Sequence, residues 1–284
     1  MTLLVTGSSG FLGRRAAAYL ASLGHTVLTP SHSQLDITRE SSVRVWFAEH
    51  RPDAVIHCAA ISDTGVCQRE PERSHVVNVE GPVLLAKACR ETGAKLVFCS
   101  SDQVYFGSPY PGPHCEEEPL SPGNVYGRQK LLAEQQCAAL CPDTVSLRLS
   151  WMYDDQSLPG EHGHFLTTLL SALRDPAQPL SWPVHDFRGM THVGEVVRNL
   201  PAALSLPGGV YNFGAENDRD TFHTVRALLE RLHLQEPLSR LTPNQEAFAQ
   251  NPRDIRMDAS TLHAAGITFR TTLQGLTETL GNLL

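Results

Sequence analysis

A tyrosine and a lysine four residues apart are the first side chains in the sequence that could do chemistry together. The chain has only three lysines, and one of them, Lys130, follows Tyr126 at the i+4 position. On a helix this spacing puts both side chains on one face. A lysine ammonium there stabilises tyrosinate and lowers the pKa of the phenol, which can then act as an acid or base near neutral pH. Taken alone, the spacing favours a tyrosine ring packed on a lysine stem.

A glycine-rich segment near the start of the chain offers a site for phosphate groups. Thr6–Gly13 reads TGSSGFLG and lies between the apolar run Leu3–Val5 and a helical pattern. Gly7 permits a tight turn, Gly10 lets the backbone approach a pyrophosphate, and Gly13 allows close packing of helix on strand. The helix N-terminus adds free N–H groups and a partial positive charge. The segment predicts a dinucleotide site, with an ordinary glycine-rich β–α turn as the alternative.

The choice between NAD and NADP depends on the end of the second strand. An acidic residue about 20 positions after the glycines usually binds the adenosine ribose of NAD. Here Thr29–Ser33 contains no carboxylate, and Asp36 comes later. Without an acid the 2′-phosphate of NADP is not repelled, and Arg14 and Arg15 follow the glycine loop. We predict that NADP is preferred and NAD is accepted, although both arginines could instead belong to a solvated helix face.

Two serines follow the apolar run Leu96–Cys99 directly. Ser100 and Ser101 would then lie at the carboxyl edge of the sheet, where open α/β sheets bind their ligands. A hydroxyl group there can donate a hydrogen bond to a substrate carbonyl. Together with the glycine loop, this serine pair favours a catalytic role for Tyr126 and Lys130.

Short apolar runs alternate with longer helical patterns through the first half of the chain. The runs suit buried strands of a parallel sheet, which are apolar throughout. They lie at Leu3–Val5, Thr26–Thr29, Ala54–Cys58, Lys95–Cys99 and Val145–Leu149. Strands that alternate with helices imply βαβ units, so we predict an α/β fold with a doubly wound parallel sheet. After Ser150 the pattern becomes irregular, as is usual for a half that carries specificity.

The composition excludes several classes of protein. A chain of 284 residues with 41% hydrophobic and 19% charged residues is too apolar to be disordered, and it suits one large domain or one with a small appendage. The net charge of −7 gives no general attraction to nucleic acid or anionic lipid. Any phosphate must therefore be held by a local site.

The cysteine pattern and the first residues of the chain indicate the cellular compartment of the protein. Seven cysteines are scattered without a Cys-x-x-Cys pair, which indicates reduced thiols in a cytoplasmic protein. The first residues show no signal peptide, and no apolar run is long enough to span a bilayer, so a soluble cytoplasmic protein is expected. His162 and His164 form a His-x-His pattern without further ligand spacing, so no metal site is predicted.

These motifs together resemble an extended short-chain dehydrogenase/reductase, and within that superfamily the chain is most similar to the dTDP-4-dehydrorhamnose reductase family. The resemblance extends over nearly the whole length. The segments that carry it are Gly7–Gly13, Arg51–Ala60, Asn78–Gly81, Ser100–Asp102, Pro122–Lys130, Arg148–Tyr153, Thr191–Val193 and Pro252–Asp258.

The resemblance implies two domains and a reaction. A Rossmann NAD(P)-binding domain would cover residues 1–150, completed by about 188–213, and a smaller substrate domain would cover mainly residues 151–284. Members of the family reduce the 4-keto group of a deoxyhexose carried on a nucleoside diphosphate. The implied partner is therefore a nucleoside-diphosphate sugar, with no nucleic acid and no membrane, and a homodimer is compatible with the family.

The resemblance also implies site residues. Ser101, Tyr126 and Lys130 take the catalytic positions, and Lys130 would also hold the nicotinamide ribose. The residues expected to line the cofactor are Gly7, Ser9, Gly10, Phe11, Leu12, Gly13, Arg14, Asp36, Ile37, Ala59, Ala60, Asn78, Ser100, Tyr126, Lys130 and Ser150. Those expected to contact the substrate are Ser62, Gln103, Trp151 and Arg188.

Two departures from the family pattern leave the sugar open. The family often has tyrosine where this chain has Gln103, and an acidic–basic pair where it has Ile61–Cys67. Both fall where sugar contacts are expected and leave the cofactor chemistry untouched. Alternative functions are a sugar-nucleotide epimerase or dehydratase, or a non-catalytic cofactor-binding subunit like that of methionine adenosyltransferase, which the chain resembles around Thr191–Val193 and Pro252–Arg253.

Overall fold

A six-stranded sheet organises the chain. The computed structural model describes residues 1–156 and 163–284. Its strands are β1 (Thr2–Thr6), β2 (Thr26–Leu28), β3 (Ala54–His57), β4 (Lys95–Ser101), β5 (Val145–Leu149), β6 (Trp151–Tyr153), β7 (Leu180–Pro183), β8 (Asp186–Phe187), β9 (Met190–His192), β10 (Gly209–Phe213), β11 (Leu241–Asn244) and β12 (Arg253–Asp254). The order in the large sheet is β10-β5-β4-β3-β1-β2, and the pairings from β2 to β5 are parallel.

Twelve α-helices accompany the strands in the described residues. They are α1 (Phe11–Ser22), α2 (Glu40–His50), α3 (Thr64–Arg69), α4 (Pro71–His75), α5 (Gly81–Thr92), α6 (Val125–Leu140), α7 (Phe165–Arg174), α8 (Val193–Ala203), α9 (Thr221–Arg231), α10 (Gln235–Arg240), α11 (Ser260–Ala264) and α12 (Thr272–Leu283). A π-helical turn, Val76–Glu80, joins α4 to α5, and a 3₁₀ turn, Asp102–Tyr105, follows β4. Within residues 1–156 and 163–284, no helix has both the length and the apolar character needed to cross a bilayer.

The central strands are buried because their sequences are apolar on both faces. Ala54, Val55 and Ile56 of β3 have no exposed surface, and the same is true of Leu96 and Val97 of β4. Such strands need helices on both faces of the sheet. The α/β fold with a parallel Rossmann-type sheet, predicted from the alternating runs, is confirmed.

The chain divides into two compact units. The first comprises Met1–Val104, Pro119–Leu149 and Val197–Tyr211. Its core includes Leu4, Val55, Leu85 and Leu96 together with the aromatic side chains of α2. This unit contains the glycine loop and the Tyr126–Lys130 pair.

The second unit comprises Tyr105–Glu118, Ser150–Val196 and Asn212–Leu284. Its core is built from α7, α9 and α12 around Tyr153. Residues 105–118, which the sequence assigned to the first domain, cluster here because hydrogen bonds tie them to later residues. The Tyr105 hydroxyl donates to Asn212 at 2.8 Å, and the amide of Asn212 donates to the carbonyl of His114 at 2.9 Å.

Candidate active site

The glycine loop forms a tight turn between β1 and α1. Gly7 has a φ of +66°, which glycine adopts at little cost, and its carbonyl accepts a hydrogen bond from the N–H of Gly10 at 2.9 Å. A Cβ on Gly13 would lie 2.3 Å from the Gly7 oxygen. Glycine is therefore required at position 13 because a side chain there would collide with the loop backbone. The sequence had instead indicated that Gly13 allows the helix to pack closely on the strand.

The loop packs against the chain that follows β3. A Cβ on Gly7 would lie only 2.6 Å from the backbone nitrogen of Ala59. The strand β1 has β2 on one side and β3 on the other, so the crossover direction reverses here. Ligands of open α/β sheets bind at such a switch point, beyond the carboxyl ends of the strands. The loop and the predicted cofactor residues Ala59 and Ala60 meet at this point.

The geometry at the start of α1 fits a dinucleotide pyrophosphate. Gly10 is the N-cap residue, with no side-chain cap and no acidic residue in the first turn. A Cβ on Gly10 would meet only the Gly7 oxygen, at 3.3 Å, so the space outside the backbone is otherwise open. The first-turn N–H groups of a helix have no intrahelical acceptor. The predicted residues Ser9, Phe11 and Leu12 flank Gly10 in the chain.

The segment that follows β2 is polar, and a cavity lies beside it. The backbone N–H and the hydroxyl of Ser31 both donate to the side chain of Gln34, at 2.8 and 2.9 Å. Asp36 accepts two hydrogen bonds from Thr38, which lower the pKa of its carboxyl, and it pairs with Arg39 at 3.2 Å. A cavity of about 620 Å³ opens here, with His32, Ser33, Gln34, Asp36, Arg39, Ser41, Ser42, Val45, Trp46 and Glu49 in its walls.

The two arginines after the glycine loop have different local contacts. Arg14 donates to the carbonyl of Ser9 at 3.2 Å, so its guanidinium lies beside the loop. Arg15 lies over the ring of Phe11, 4.3 Å from the centroid. Arg14 is therefore the better placed of the two to meet a phosphate held by the loop.

The first turn of α6 is pressed against the 3₁₀ turn that follows β4. Asn124 caps the helix by accepting from the N–H of Gly127 at 2.7 Å, and its amide donates to Gln103 at 3.0 Å. A Cβ on Gly127 would lie 2.2 Å from the carbonyl oxygen of Gln103. Only glycine permits this approach, which sets Tyr126 beside the end of β4.

Lys130 is held under Tyr126 by backbone and ring contacts. Its Nζ donates to the carbonyl of Cys99 at 2.8 Å and lies 4.6 Å from the ring centroid of Phe98. The distance from Nζ to the ring centroid of Tyr126 is 5.7 Å. Burial lowers the pKa of Lys130 to about 8. The structure thus brings the predicted pair to one face of α6.

The acidity of Tyr126 differs from the expectation. Burial raises the pKa of the Tyr126 phenol, the negative charge of Asp102 adds to the rise, and a hydrogen bond from Ser101 opposes it. The predicted lowering by Lys130 is not among these effects, because the lysine is itself desolvated and its Nζ donates to the Cys99 carbonyl. Tyr126 therefore holds its proton at neutral pH and can donate it only to a stronger base.

Three residues expected at the cofactor have their side chains engaged elsewhere. Asn78 binds both backbone groups of Ile61, accepting at 2.8 Å and donating at 3.0 Å. The Ser100 hydroxyl donates to the buried carboxylate of Glu134. In the second unit, Ser150 shares a hydrogen bond with Thr191. These side chains are bonded to other protein groups instead of presenting free polar groups, and Ile37 packs on Gly81.

A buried ion pair supports α6 and was not singled out from the sequence. Glu134 and Arg148 are each 3% exposed, and Arg148 donates to Glu134 at 2.8 Å. The signal was present, since Glu134 follows Lys130 at i+4 and Arg148 interrupts an apolar strand. The pair joins α6 to β5 and holds the helix that carries Tyr126.

The four predicted substrate residues lie in two groups. In the first unit, Ser62 is exposed before α3, and the buried amide of Gln103 donates to Asp102 at 3.4 Å. In the second unit, the guanidinium of Arg188 lies 4.6 Å from the ring centroid of Trp151. Ser62 and Trp151 are accessible to solvent at least in part, whereas Gln103 and Arg188 are buried.

One further cluster was not anticipated. In the second unit, Nε2 of His192 lies 3.6 Å from Asp154 and 3.4 Å from Asp155. Among the residues that the structure describes, this is a group whose atoms are close enough to share a metal ion. Of the His-x-His pattern noted in the sequence, His162 lies outside the described residues.

Comparisons with known proteins agree on the family. The family model described as RmlD substrate binding domain matches residues 1–284. A dTDP-4-dehydrorhamnose reductase from Mycolicibacterium smegmatis is 39% identical over 167 residues, which are 59% of this chain and 49% of that protein. The matched region thus spans about half the length of this relative, and the same holds for a reductase of that name from Streptomyces griseus.

Two further comparisons cover nearly the whole chain. The methionine adenosyltransferase 2 subunit beta of Xenopus laevis is 27% identical across 98% of this chain and 86% of its own length. The crystal structure of a dTDP-4-dehydrorhamnose reductase from Bacillus anthracis, in complex with NADP, has a TM-score of 0.86 and 23% identity, and it covers 99% of this chain and 98% of that one. The structural likeness establishes the fold.

Proposed function

The chain belongs to the RmlD substrate binding domain family, as the resemblance of its motifs predicted, and on this basis we propose that it is a reductase. It uses NADPH, or NADH, to reduce the 4-keto group of a deoxysugar carried on a nucleoside diphosphate. The observation that carries the proposal is the buried phenol of Tyr126 beside Ser101, in the same unit as the open glycine loop. A carbonyl reduction needs both a proton donor and a dinucleotide site.

The first unit supplies the residues that hold the cofactor. The N–H groups at the start of α1 bind the pyrophosphate, and Lys130, fixed by the Cys99 carbonyl, lies on the tyrosine side of the site. The complex of the B. anthracis relative with NADP supports this choice of cofactor. When bound, the nicotinamide supplies the hydride.

The protein's own task is to position the keto group and protonate it. As the carbonyl carbon is reduced, its oxygen gains negative charge and requires a proton. Tyr126 donates that proton, and Ser101 donates a hydrogen bond to the same oxygen. Trp151 and Arg188 of the second unit suit the base and the diphosphate of the substrate, and Ser62 and Gln103 of the first unit suit the sugar.

An NADPH-oxidation assay with a panel of nucleoside-diphosphate 4-keto sugars tests the proposal. Turnover with one of them supports a reductase, whereas an isomerised product without net oxidation supports an epimerase. The second candidate is a non-catalytic subunit, favoured by the X. laevis relative that aligns with 98% of this chain. Tight cofactor binding without turnover on any sugar would support that role. We also propose a cytoplasmic protein. A homodimer is compatible with the family, and sedimentation of the purified chain will distinguish a dimer from a monomer.

Replacing Arg14 with alanine should weaken NADPH binding more than NADH binding. The guanidinium lies beside the glycine loop, and the segment Thr29–Ser33 has no carboxylate to repel a 2′-phosphate. A lost charge-assisted hydrogen bond should cost roughly tenfold in the dissociation constant for NADPH. Fluorescence titrations with both cofactors measure the difference. Arg15→Ala, which removes the same charge one residue later, should have the smaller effect, and a clear preference of the native chain for NADH would contradict the prediction.

Replacing Lys130 with methionine should damage both turnover and cofactor binding. Methionine keeps the apolar stem but removes the donor to the Cys99 carbonyl and the positive charge. Because the pKa of Lys130 is about 8, the lysine loses its charge as the pH rises through that value. NADPH affinity of the native chain should therefore fall between about pH 7 and pH 9, and roughly tenfold weaker binding at pH 7 is expected for the variant. An identical pH dependence in Lys130→Met would exclude the lysine as its source.

A further inference from the structure

Two cysteines lie in contact where β3 and β4 end. The strands pair in parallel with His57 opposite Phe98, so the next residues, Cys58 and Cys99, also face each other. Their sulfur atoms are 3.7 Å apart, and both thiols are free. Neighbouring strands lie about 4.8 Å apart, which is within the range of Cα distances that a disulfide spans. The two sulfurs can therefore reach bonding distance without separation of the strands.

The two thiols differ in acidity, and this difference favours their oxidation. The hydrogen bond from the Cys58 thiol lowers the pKa of Cys99, with help from the nearby Lys130, whereas the pKa of Cys58 is raised. Cys99 is buried, but Cys58 beside it is half-buried, so a small oxidant reaches the pair from the side of Cys58. Thiolate character together with access governs cysteine reactivity.

Hydrogen peroxide can oxidise the two thiols to a disulfide in two balanced steps. The Cys99 thiolate attacks one peroxide oxygen, the O–O bond breaks, and the sulfur becomes a sulfenic acid as one water is released. The Cys58 sulfur then attacks the Cys99 sulfur, the S–O bond breaks, and a second water leaves. Two thiols and one peroxide give one disulfide and two waters. A small dithiol such as dithiothreitol reverses the reaction by exchange.

The two cysteines lie beside the glycine loop and Lys130, which are the two parts of the proposed cofactor site. The backbone of Cys58 and Ala59 lies directly against Gly7, where a Cβ would be 2.9 Å from the Cys58 carbonyl carbon. The carbonyl of Cys99 is the acceptor that holds Lys130 at 2.8 Å. Closing the sulfur–sulfur distance from 3.7 Å to about 2.05 Å turns both side chains and pulls on the backbone of the two strand ends, which supports the glycine loop and Lys130.

We propose that Cys58 and Cys99 form a reversible disulfide in the presence of peroxide, and that this disulfide weakens NADPH binding at the glycine loop and Lys130. The second half of this inference rests on the proposed function, since it needs the chain to bind NADPH. By linkage, bound NADPH must also disfavour the disulfide at equilibrium.

The full-length chain is treated with hydrogen peroxide, alkylated, and examined by mass spectrometry with peptide fragmentation. We expect a link between Cys58 and Cys99, roughly tenfold weaker NADPH binding in fluorescence titrations, and recovery with dithiothreitol. Cys58→Ser and Cys99→Ser should each make NADPH affinity insensitive to peroxide. Cys115→Ser, which removes an exposed thiol of the second unit, should leave the peroxide response unchanged.

Three results of this experiment test the disulfide, its effect on NADPH binding and the proposed function separately. Absence of the Cys58–Cys99 link after peroxide treatment would overturn the thiol pairing. A link that forms without any change in NADPH affinity would overturn the coupling. A reduced chain that fails to bind NADPH would instead overturn the proposed function and the coupling with it, while peptide mapping would still decide the pairing.

Discussion

Replacement of Gly10 by valine should abolish dinucleotide binding and leave the chain folded. A Cβ at this position meets only the Gly7 oxygen, at 3.3 Å, and the backbone is extended with a φ of −82°. Valine can adopt this conformation, so the loss of stability should be limited to about 1 kcal/mol for a poorer N-cap residue. Its two methyl groups, however, would occupy the opening in front of the first-turn N–H groups, where the pyrophosphate binds.

NADPH titration and thermal unfolding of the same variant separate these two effects. We expect no measurable NADPH binding and a melting temperature only a few degrees below that of the native chain. Gly13→Ala is the contrasting variant, because its Cβ would lie 2.3 Å from the Gly7 oxygen and would distort the loop itself. That change should lower the melting temperature as well. Normal NADPH affinity in folded Gly10→Val would mean that the loop does not hold the phosphates.

The features predicted correctly from the sequence are those that depend on the backbone and on local periodicity. The positive φ of Gly7 and the open space at Gly10 are properties that only glycine supplies, so residue type alone indicates them. Apolar runs such as Ala54–Ile56 are fully buried because a parallel sheet is covered on both faces.

The features that sequence reasoning missed depend on contacts between residues far apart in the chain. The Ser100 hydroxyl donates its hydrogen bond to Glu134 and is not free for a ligand. The reason is that α6 brings this carboxylate, 34 positions later in the chain, against the end of β4. The i+4 spacing placed Tyr126 and Lys130 on one face but could not give the sign of the pKa shift of Tyr126. That sign depends on burial and on Asp102, which only the packing of α6 against the 3₁₀ turn brings close.

Replacement of Tyr126 by phenylalanine should lower turnover by about 10²–10⁴-fold with little change in NADPH affinity. The variant keeps the ring and the packing of α6 and removes only the hydroxyl that donates the proton. Because the pKa of Tyr126 is raised by burial and by Asp102, the native hydroxyl is protonated over the whole neutral range and is ready to donate. Ser101→Ala should be milder, since it removes a hydrogen bond to the carbonyl oxygen and leaves the proton source in place.

Steady-state kinetics with the sugar that turns over in the NADPH-oxidation assay measure this prediction. Tyr110→Phe makes the same chemical change at an exposed position, 54% accessible to solvent, and should leave kcat unchanged. The loss in Tyr126→Phe should fall on kcat, because the proton is needed only as negative charge develops on the oxygen. If Tyr126→Phe keeps nearly full activity while Tyr110→Phe behaves normally, the proton comes from another group, and the assignment of Tyr126 as the acid is wrong.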